Sequence, residues 1–577
     1  MQSVSRPLLG SILALWIPAC ATPAVTSVPA DVVLRVALVH APGLHVEVVI
    51  DARGDADGET TFAIVDDWGG TKDSQALLRD MAVTANGRKL DVTTSKPGAW
   101  TVHHAPSERL HATYSIPANE IQKDPDLSGH YKAIVGAGLV HFIGYTALAL
   151  PERDDGEARE HVRFEWVGFE AAGWKTACSF SAERAFERDI ELSKLHEAVF
   201  LASPDLTLHH RSIRGRDLCV AFAGKWSKPE EPFVDAAAQI VDLERTFFGD
   251  DDYPFYLVSV IPIGVPSQGS SSIGGTGLTD SFALFLLDGT DIDPASNLGS
   301  RLLHLLAHEM FHNWNGRIIG RASPEELVYW FSEGFTDFYA RRLLHRAELM
   351  DEQAFVESWN ERLHELFTNP VREAPVDRIQ KDFWNDPDVQ KLPYQRGDVM
   401  ALMIDGEIRR RTHGARSLDD WMRDLAQRGR RGERISNEVL IADVALLTDP
   451  EFAESIRRIV VDGALPALAH DVLAPCFELA IEEVPAWDPG FDLEATRKDH
   501  VLHGVREGSK AWSAGARNDM KLLGWSVSGG DIQKPIECTV QDGAEKRKLS
   551  WMPHGAAVAT PQITPGSGAR TRECSQL

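Results

Sequence analysis

The sequence predicts a multidomain α+β protein. It reads as mainly β over 30–228, as mixed α/β and then helical over 229–480, and as a small turn-rich domain over 484–556. Three observations carry this. The runs Val32 to Val39 and His45 to Ile50 are β-branched and separated by Pro42-Gly43. Helical spacing takes over from Phe233. After residue 484, clusters such as Pro489-Gly490 and Asp542-Gly543 punctuate short apolar runs. At 577 residues the chain is long enough for roughly three or four domains. Its 43% hydrophobic and 25% charged residues are those of a globular protein with sizeable cores. A net charge of −26 opposes nucleic acid and anionic membranes as partners. The basic cluster Arg428 to Arg434 reads as a solvated loop.

Residues 1–20 read as an export signal. Arg6 precedes an apolar stretch, Leu8 to Ile17, that is too short to span a bilayer. Ile17-Pro18-Ala19-Cys20 resembles a bacterial lipoprotein cleavage site, which would leave Cys20 lipidated, and Ala19-Cys20-Ala21 reads equally as an ordinary signal-peptidase site. The expected location is the bacterial periplasm or cell envelope. Export permits disulfides, and Cys178–Cys219 and Cys538–Cys574 are the pairs suggested by proximity in sequence.

Asp51 to Gly58 is a turn-rich acidic loop. The uncharged stretch Ala133 to Leu150 contains three glycines and a histidine and reads as buried strands rather than a membrane span. A helix is expected over Phe233 to Phe248, a strand over Phe255 to Ile261, a Gly/Ser loop over Gln268 to Gly277, and a strand over Ser281 to Leu287. That strand pair would line a peptide cleft with its edge backbone, or form a plain hairpin. Helices are expected onward to about residue 475. The segment 557–577 reads as a polar tail.

The chemistry lies in His308-Glu309-Met310-Phe311-His312 and, downstream, Glu333-Gly334-Phe335-Thr336-Asp337. Leu302, Leu303, Leu305 and Leu306 place the first motif on a buried helix, which Gly316 is positioned to stop. Residues four apart share a helix face, so His308 and His312 can bind one metal ion, while Glu309 points elsewhere and is free to act on water. Ser323-Pro324-Glu325-Glu326 reads as the capped start of a second helix. Glu333 lies on it in an aromatic run, where a carboxylate is costly unless paired or metal-bound. Asp337, four residues on, can accept the second ring N–H of a ligating histidine. The set His308, His312 and Glu333 predicts one zinc ion per chain with an open fourth position.

These residues resemble the glycyl-aminopeptidase type of zinc metallopeptidase, a gluzincin family related to thermolysin. The resemblance rests on His308 to Asn315, Trp330 to Asp337, and Tyr394-Gln395-Arg396-Gly397, which is similar to the family's Tyr-x-Lys-Gly. It implies a thermolysin-like catalytic domain over 229–480 after an N-terminal β domain. It also implies a C-terminal PDZ domain, since Pro489-Gly490-Phe491 resembles a carboxylate-binding loop and Gly508 to Gly515 resembles the family's Gly-Ser-Pro-Ala stretch. A peptide or C-terminus would be that domain's partner. The resemblance further assigns Tyr394 as oxyanion donor and Gly274, Gly275, Thr276 and Asp280 as substrate-binding. The family carries Gly-Gly-x-Glu-His where this chain reads Gly274-Gly275-Thr276-Gly277-Leu278, so the Glu that would hold a substrate amine is absent and Asp280 is its candidate replacement.

The reaction expected is zinc-dependent hydrolysis of peptides or proteins. Glu309 serves as base and then acid, and Tyr394 as donor to the oxyanion. Aminopeptidase action follows from the resemblance. An endopeptidase or dipeptidase with no amine requirement, and a peptide-binding envelope protein without catalysis, are the alternatives.

Overall fold

The computed structural model describes residues 30–566 and Cys574, apart from 66–67, 122–129, 154–157, 252, 254, 265–272 and 544. The expected export signal and Cys20 lie outside the described residues.

The N-terminal domain is β-rich. Val32–Val39 buries alternate residues, as a strand covered on one face does. It lies inside a seven-stranded sheet, antiparallel to His45–Arg53 and parallel to Arg159–Val167. Ala133 to Leu150 folds as short buried pieces, Val140–Ile143 pairing with Val199–Ser203. Among the described residues no helix is long and apolar enough to cross a membrane.

The middle of the molecule is a five-stranded sheet of β1 (Thr207–Ile213), β2 (Arg216–Phe222), β3 (Phe255–Pro262), β4 (Ile273–Leu278) and β5 (Ser281–Leu286), in the order β1-β2-β3-β5-β4. One face packs Val220, Val258 and Leu284 against helices, and the other packs Ala221, Leu257 and Phe285 against the N-terminal domain. Burial on both faces explains why β3 and β5 read as unbroken apolar runs. Three expectations change here. The sheet takes in residues 207–222, which the sequence reading gave to the N-terminal domain. The strands around 255–262 and 281–286 are parallel neighbours and not a hairpin. Residues 273–277, read as part of a loop, form the edge strand β4, whose glycines hid its strand character.

The helices over that sheet are α1 (Glu231–Phe248), α2 (Asn297–Phe311), α3 (Gly334–Arg346), α4 (Glu352–Thr368) and α5 (Pro387–Thr412). Ser296 caps α2 by accepting the Gly299 N–H at 3.0 Å. The helix expected from Ser323 is broken into a 3₁₀ turn (Glu325–Val328), a single turn (Tyr329–Ser332) and α3, with Glu333 at the break.

The C-terminus departs most from expectation. Phe477–Trp487 pairs with His554–Pro565 in a long antiparallel ribbon. Residues 557–565 are therefore structured and not a tail. Between the ribbon strands a small domain buries Phe491, Leu502, Ile536 and Trp551 around a three-stranded sheet. The ribbon returns the chain end to its start, where Cys476 and Cys574 form a disulfide. Cys178, Cys219 and Cys538 are buried free thiols, so neither pairing suggested by sequence proximity exists.

Candidate metal and catalytic site

Three donor atoms converge where α2 meets the start of α3. His308 Nε2 and His312 Nε2 are 3.1 Å apart, and Glu333 Oε2 lies 3.5 and 3.3 Å from them. Ligands about 2.0–2.1 Å from a tetrahedral zinc are about 3.3 Å from one another, so this triangle has the size zinc requires. The tautomers agree. His308 Nδ1 faces Asp337 Oδ1 at 2.8 Å, and His312 Nδ1 faces the Asn315 carbonyl at 2.9 Å. With the protons held there, both Nε2 lone pairs point at the centre beside a carboxylate, an arrangement that calls for a cation.

The sequence accounts for each placement. One turn of α2 separates the two histidines. After Phe311 the helix widens and breaks at Asn315 and Gly316, whose φ of +139° suits glycine. That break turns the Asn315 carbonyl back to His312. The buried Asn315 side chain donates to the carbonyls of Phe331 and Ser332, both at 3.2 Å, tying the end of α2 to the segment that carries Glu333. Burial would raise the Glu333 pKa, but His312 and His308 outweigh it and hold the carboxylate well below its ordinary range.

Asp337 is more than a hydrogen-bond acceptor. Arg362 of α4 donates to its Oδ2 at 2.6 Å and to Asp398 of α5 at 2.9 Å, and Arg341 of α3 pairs with both Asp398 oxygens at 2.8 Å. Burial acts to raise the Asp337 pKa. Arg362 first, then His304 and His308, reverse this and keep it ionised. Its charge therefore reaches His308 from a network that spans three helices.

Tyr394 lies in α5 with its ring stacked 6.1 Å from that of His308. Its pKa is raised well above the ordinary value, by burial first and then by Glu333, Asp337 and Glu309, so the phenol remains a donor. Arg396 of the same motif donates to the Ala374 carbonyl at 2.7 Å and to that of Arg372, holding α5 in place.

Glu309 faces the sheet edge, where the Gly277 N–H donates to its Oε2 at 2.7 Å. A Cβ on Gly277 would come within 2.9 Å of both the Glu309 carbonyl oxygen and Oε2. Position 277 thus has room only for glycine. Gly274, Gly275 and Thr276 lie on the same edge strand, paired to Phe285, Leu284 and Ala283. Asp280 occupies the turn after it and does not join the metal-site residues. Burial raises its pKa, and its carboxyl faces Arg317 and Tyr253.

Several residues at the site had no sequence signal. Arg362 is one of many arginines. Tyr131, from the N-terminal domain, has its hydroxyl 3.5 Å from the Gly275 carbonyl, and burial together with the Glu309 charge pushes its pKa up to about 12. Glu197 and Arg317 meet at Thr279, just past the edge strand. Each reaches the site through tertiary packing and not through local spacing.

Residues 301–391 match the M61 glycyl aminopeptidase family, a stretch that holds His308, Glu309, His312, Glu333, Asp337 and Arg362. Over 194 residues the chain is 24% identical to Leucine aminopeptidase 2 of Eremothecium gossypii, covering 33% of this chain and 28% of that protein. The fold is similar to a crystal structure of an aminopeptidase N family protein from Idiomarina loihiensis, with a TM-score of 0.69 and 15% identity over 93% of this chain and 98% of that one. A more distant likeness is to an M1 zinc metallopeptidase from Deinococcus radiodurans, at a TM-score of 0.47 and 18% identity, covering 76% of this chain and 94% of that one. The family match spans 301–391 of the 577 residues, and the likeness to the Idiomarina loihiensis protein is one of fold.

Proposed function

We propose that the protein is a zinc-dependent peptidase of aminopeptidase type. The observation that carries this reading is the triangle of His308, His312 and Glu333 donor atoms with Glu309 beside it. When bound, zinc supplies a Lewis acid and brings the pKa of an adjacent water toward neutrality. Glu309, steadied by the Gly277 N–H, takes a proton from the attacking water and delivers it to the leaving amine. The Tyr394 phenol donates to the oxygen on which negative charge develops. Asp337 keeps His308 Nε2 free of a proton and aimed at the metal.

The test is mass spectrometry of free and N-acetylated peptide pools after incubation with zinc-loaded protein, with Glu309→Gln as the blank. Cleavage of the free pool alone supports this reading. Cleavage of both pools equally points to an endopeptidase, and cleavage of neither points to a peptide-binding protein that has kept the site.

Two further assignments belong to the same proposal. The domain inside the ribbon acts as a PDZ-like module that takes an extended peptide or C-terminus along the end of its edge strand Lys521–Ser526 beyond the exposed Leu523, since the start of that strand is paired with residues 500–502. Calorimetric titration of the full chain with a C-terminal peptide pool tests this, and absence of heat beyond the active-site signal would leave the module structural. The protein is exported to a bacterial envelope, with Cys20 as the candidate lipid anchor, on the evidence of residues 1–20. Fractionation and acyl-chain labelling of a Cys20→Ala variant check it.

A further inference from the structure

Glu333 presents its two oxygens to different partners. Oε2 lies 3.5 and 3.3 Å from the two histidine Nε2 atoms, at ligand spacing. Oε1 lies 3.8 Å from Nη1 of Arg321. A carboxylate can bind a metal through one oxygen or through both. The difference matters to the chemistry. Two histidines and one oxygen leave a zinc ion a fourth position, and a second carboxylate oxygen would compete for it.

The fold fixes Arg321 at both ends. Gly320–Arg321 is a short strand paired in parallel with Arg434–Ile435, which anchors the backbone. At the side-chain end, Nη1 donates to Ser332 Oγ at 3.3 Å, and Ser332 is buried and adjoins Glu333. The guanidinium lies over the Tyr329 ring, 5.6 Å from its centroid. Nη2 pairs with Glu325 Oε2 at 3.1 Å. The guanidinium is a rigid planar fork, so holding Nη2 and the stacked face also holds Nη1. A Cβ on Gly316 would stand 3.8 Å from Nη1 and 3.7 Å from His312 Nδ1, so the cation lies beside the turn that orients His312.

The two carboxylates do not hold this cation alike. The Glu325 side chain is 48% exposed, so water takes up much of that pair. The Glu333 side chain is 13% exposed, where a charge is screened far less. At 3.8 Å Nη1 makes no hydrogen bond to Oε1 and acts on it as a positive charge. Tyr394 also faces this carboxylate, but its phenol is committed to the substrate's oxygen in the reaction above. Arg321 has no other task there. We propose that Arg321 is a positioning residue that holds Glu333 Oε1 away from the metal, limits ligation to one oxygen and so keeps the fourth position open. This rests on the zinc peptidase reading above and deepens it.

The experiment loads the full-length protein with zinc or with cobalt(II) and compares the unmodified chain with Arg321→Met, Arg321→Lys and Glu325→Gln. Cobalt(II) reports its ligand number through visible absorption, which is strong with four ligands and weak with more. Arg321→Met should keep its metal by elemental analysis, lose absorption intensity, and lose kcat about 10- to 100-fold with KM little changed. Arg321→Lys keeps a cation and should recover most of the intensity. Glu325→Gln removes only the exposed partner and should match the unmodified protein in both readings. An Arg321→Met spectrum like that of the unmodified protein would overturn the proposal. Loss of metal from Arg321→Met, or an equal change in Glu325→Gln, would overturn it in favour of a purely structural role. No cleavage of any peptide by the unmodified protein would instead fail the peptidase reading, and the cobalt spectra would still decide the role of Arg321.

Discussion

Gly334 and Gly397 meet backbone to backbone. A Cβ on Gly334 would come within 2.3 Å of the Gly397 Cα, and one on Gly397 within 1.8 Å of the Trp330 carbonyl oxygen. This crossing of α3 and α5 is what sets Tyr394 beside Glu333.

Gly397→Ala should therefore act on chemistry and stability together. Forcing a methyl into the crossing costs about 1–3 kcal/mol, and a shift of Tyr394 by about 1 Å lowers kcat on the order of 100-fold. Thermal unfolding and steady-state rates measure the two effects. A stable, fully active Gly397→Ala protein would mean that something other than this contact places the phenol.

The roles at the metal separate by zinc content. Glu309→Gln should keep zinc and lose kcat by about 100-fold or more. Tyr394→Phe should keep zinc and lose on the order of 100-fold with KM little changed. Glu333→Ala should lose the metal itself. Elemental analysis beside turnover distinguishes these, and loss of zinc from Glu309→Gln would contradict the assigned base.

Arg362→Met removes the partner that keeps Asp337 charged. Zinc affinity should fall about 10- to 100-fold, and taking the guanidinium from the buried Asp337 should cost about 3–5 kcal/mol. Asp337→Asn combined with Arg362→Met should cost less than the sum of the two singles, because both break one contact. Chelator competition and urea unfolding read the two quantities, and strict additivity would show that the residues act separately.

Acid should weaken the helical domain at a definite point. Burial would raise the Asp419 pKa, but Arg342 and Arg346 lower it from 3.8 to about 2. A carboxylate whose folded pKa is depressed stabilises above its unfolded pKa and loses that contribution as pH falls through the folded one. About 2 kcal/mol should thus disappear between roughly pH 4 and pH 2. Urea midpoints at pH 5 and pH 2.5 should differ less in Asp419→Asn than in the unmodified protein.

The Cys476–Cys574 bond closes a loop with a sequence separation of 98. Loops of this size are stabilised by up to about 4–5 kcal/mol on the chain-entropy account. Reductant should lower the melting temperature of the unmodified protein and leave a Cys476→Ala, Cys574→Ala protein unaffected. Equal sensitivity of both would place the effect elsewhere.

Local patterns made the metal site legible. One helical turn joins His308 to His312, and the aromatic surroundings of Glu333 marked a carboxylate that needed a partner. The same patterns missed the break at Glu333, because Tyr329 to Tyr339 is apolar on both sides of it. Arg362, Glu197 and Tyr131 were invisible for another reason. Each depends on which helix or domain packs against the site, which neighbouring residues do not encode. The cysteine pairing failed likewise, since a ribbon brings residue 574 to residue 476 across the whole C-terminal domain.

That ribbon is fastened to the helix beside the metal site. It hangs on α4, where Asn360 grips both backbone groups of Ile563, at 2.7 and 2.9 Å, and His364 meets the Pro485 carbonyl at 2.9 Å. Between those two residues on the same helix sits Arg362, whose other end neutralises Asp337. The ribbon that closes the C-terminal domain is therefore fastened to the same helix turn that supplies Arg362 to Asp337, the acceptor of His308 Nδ1.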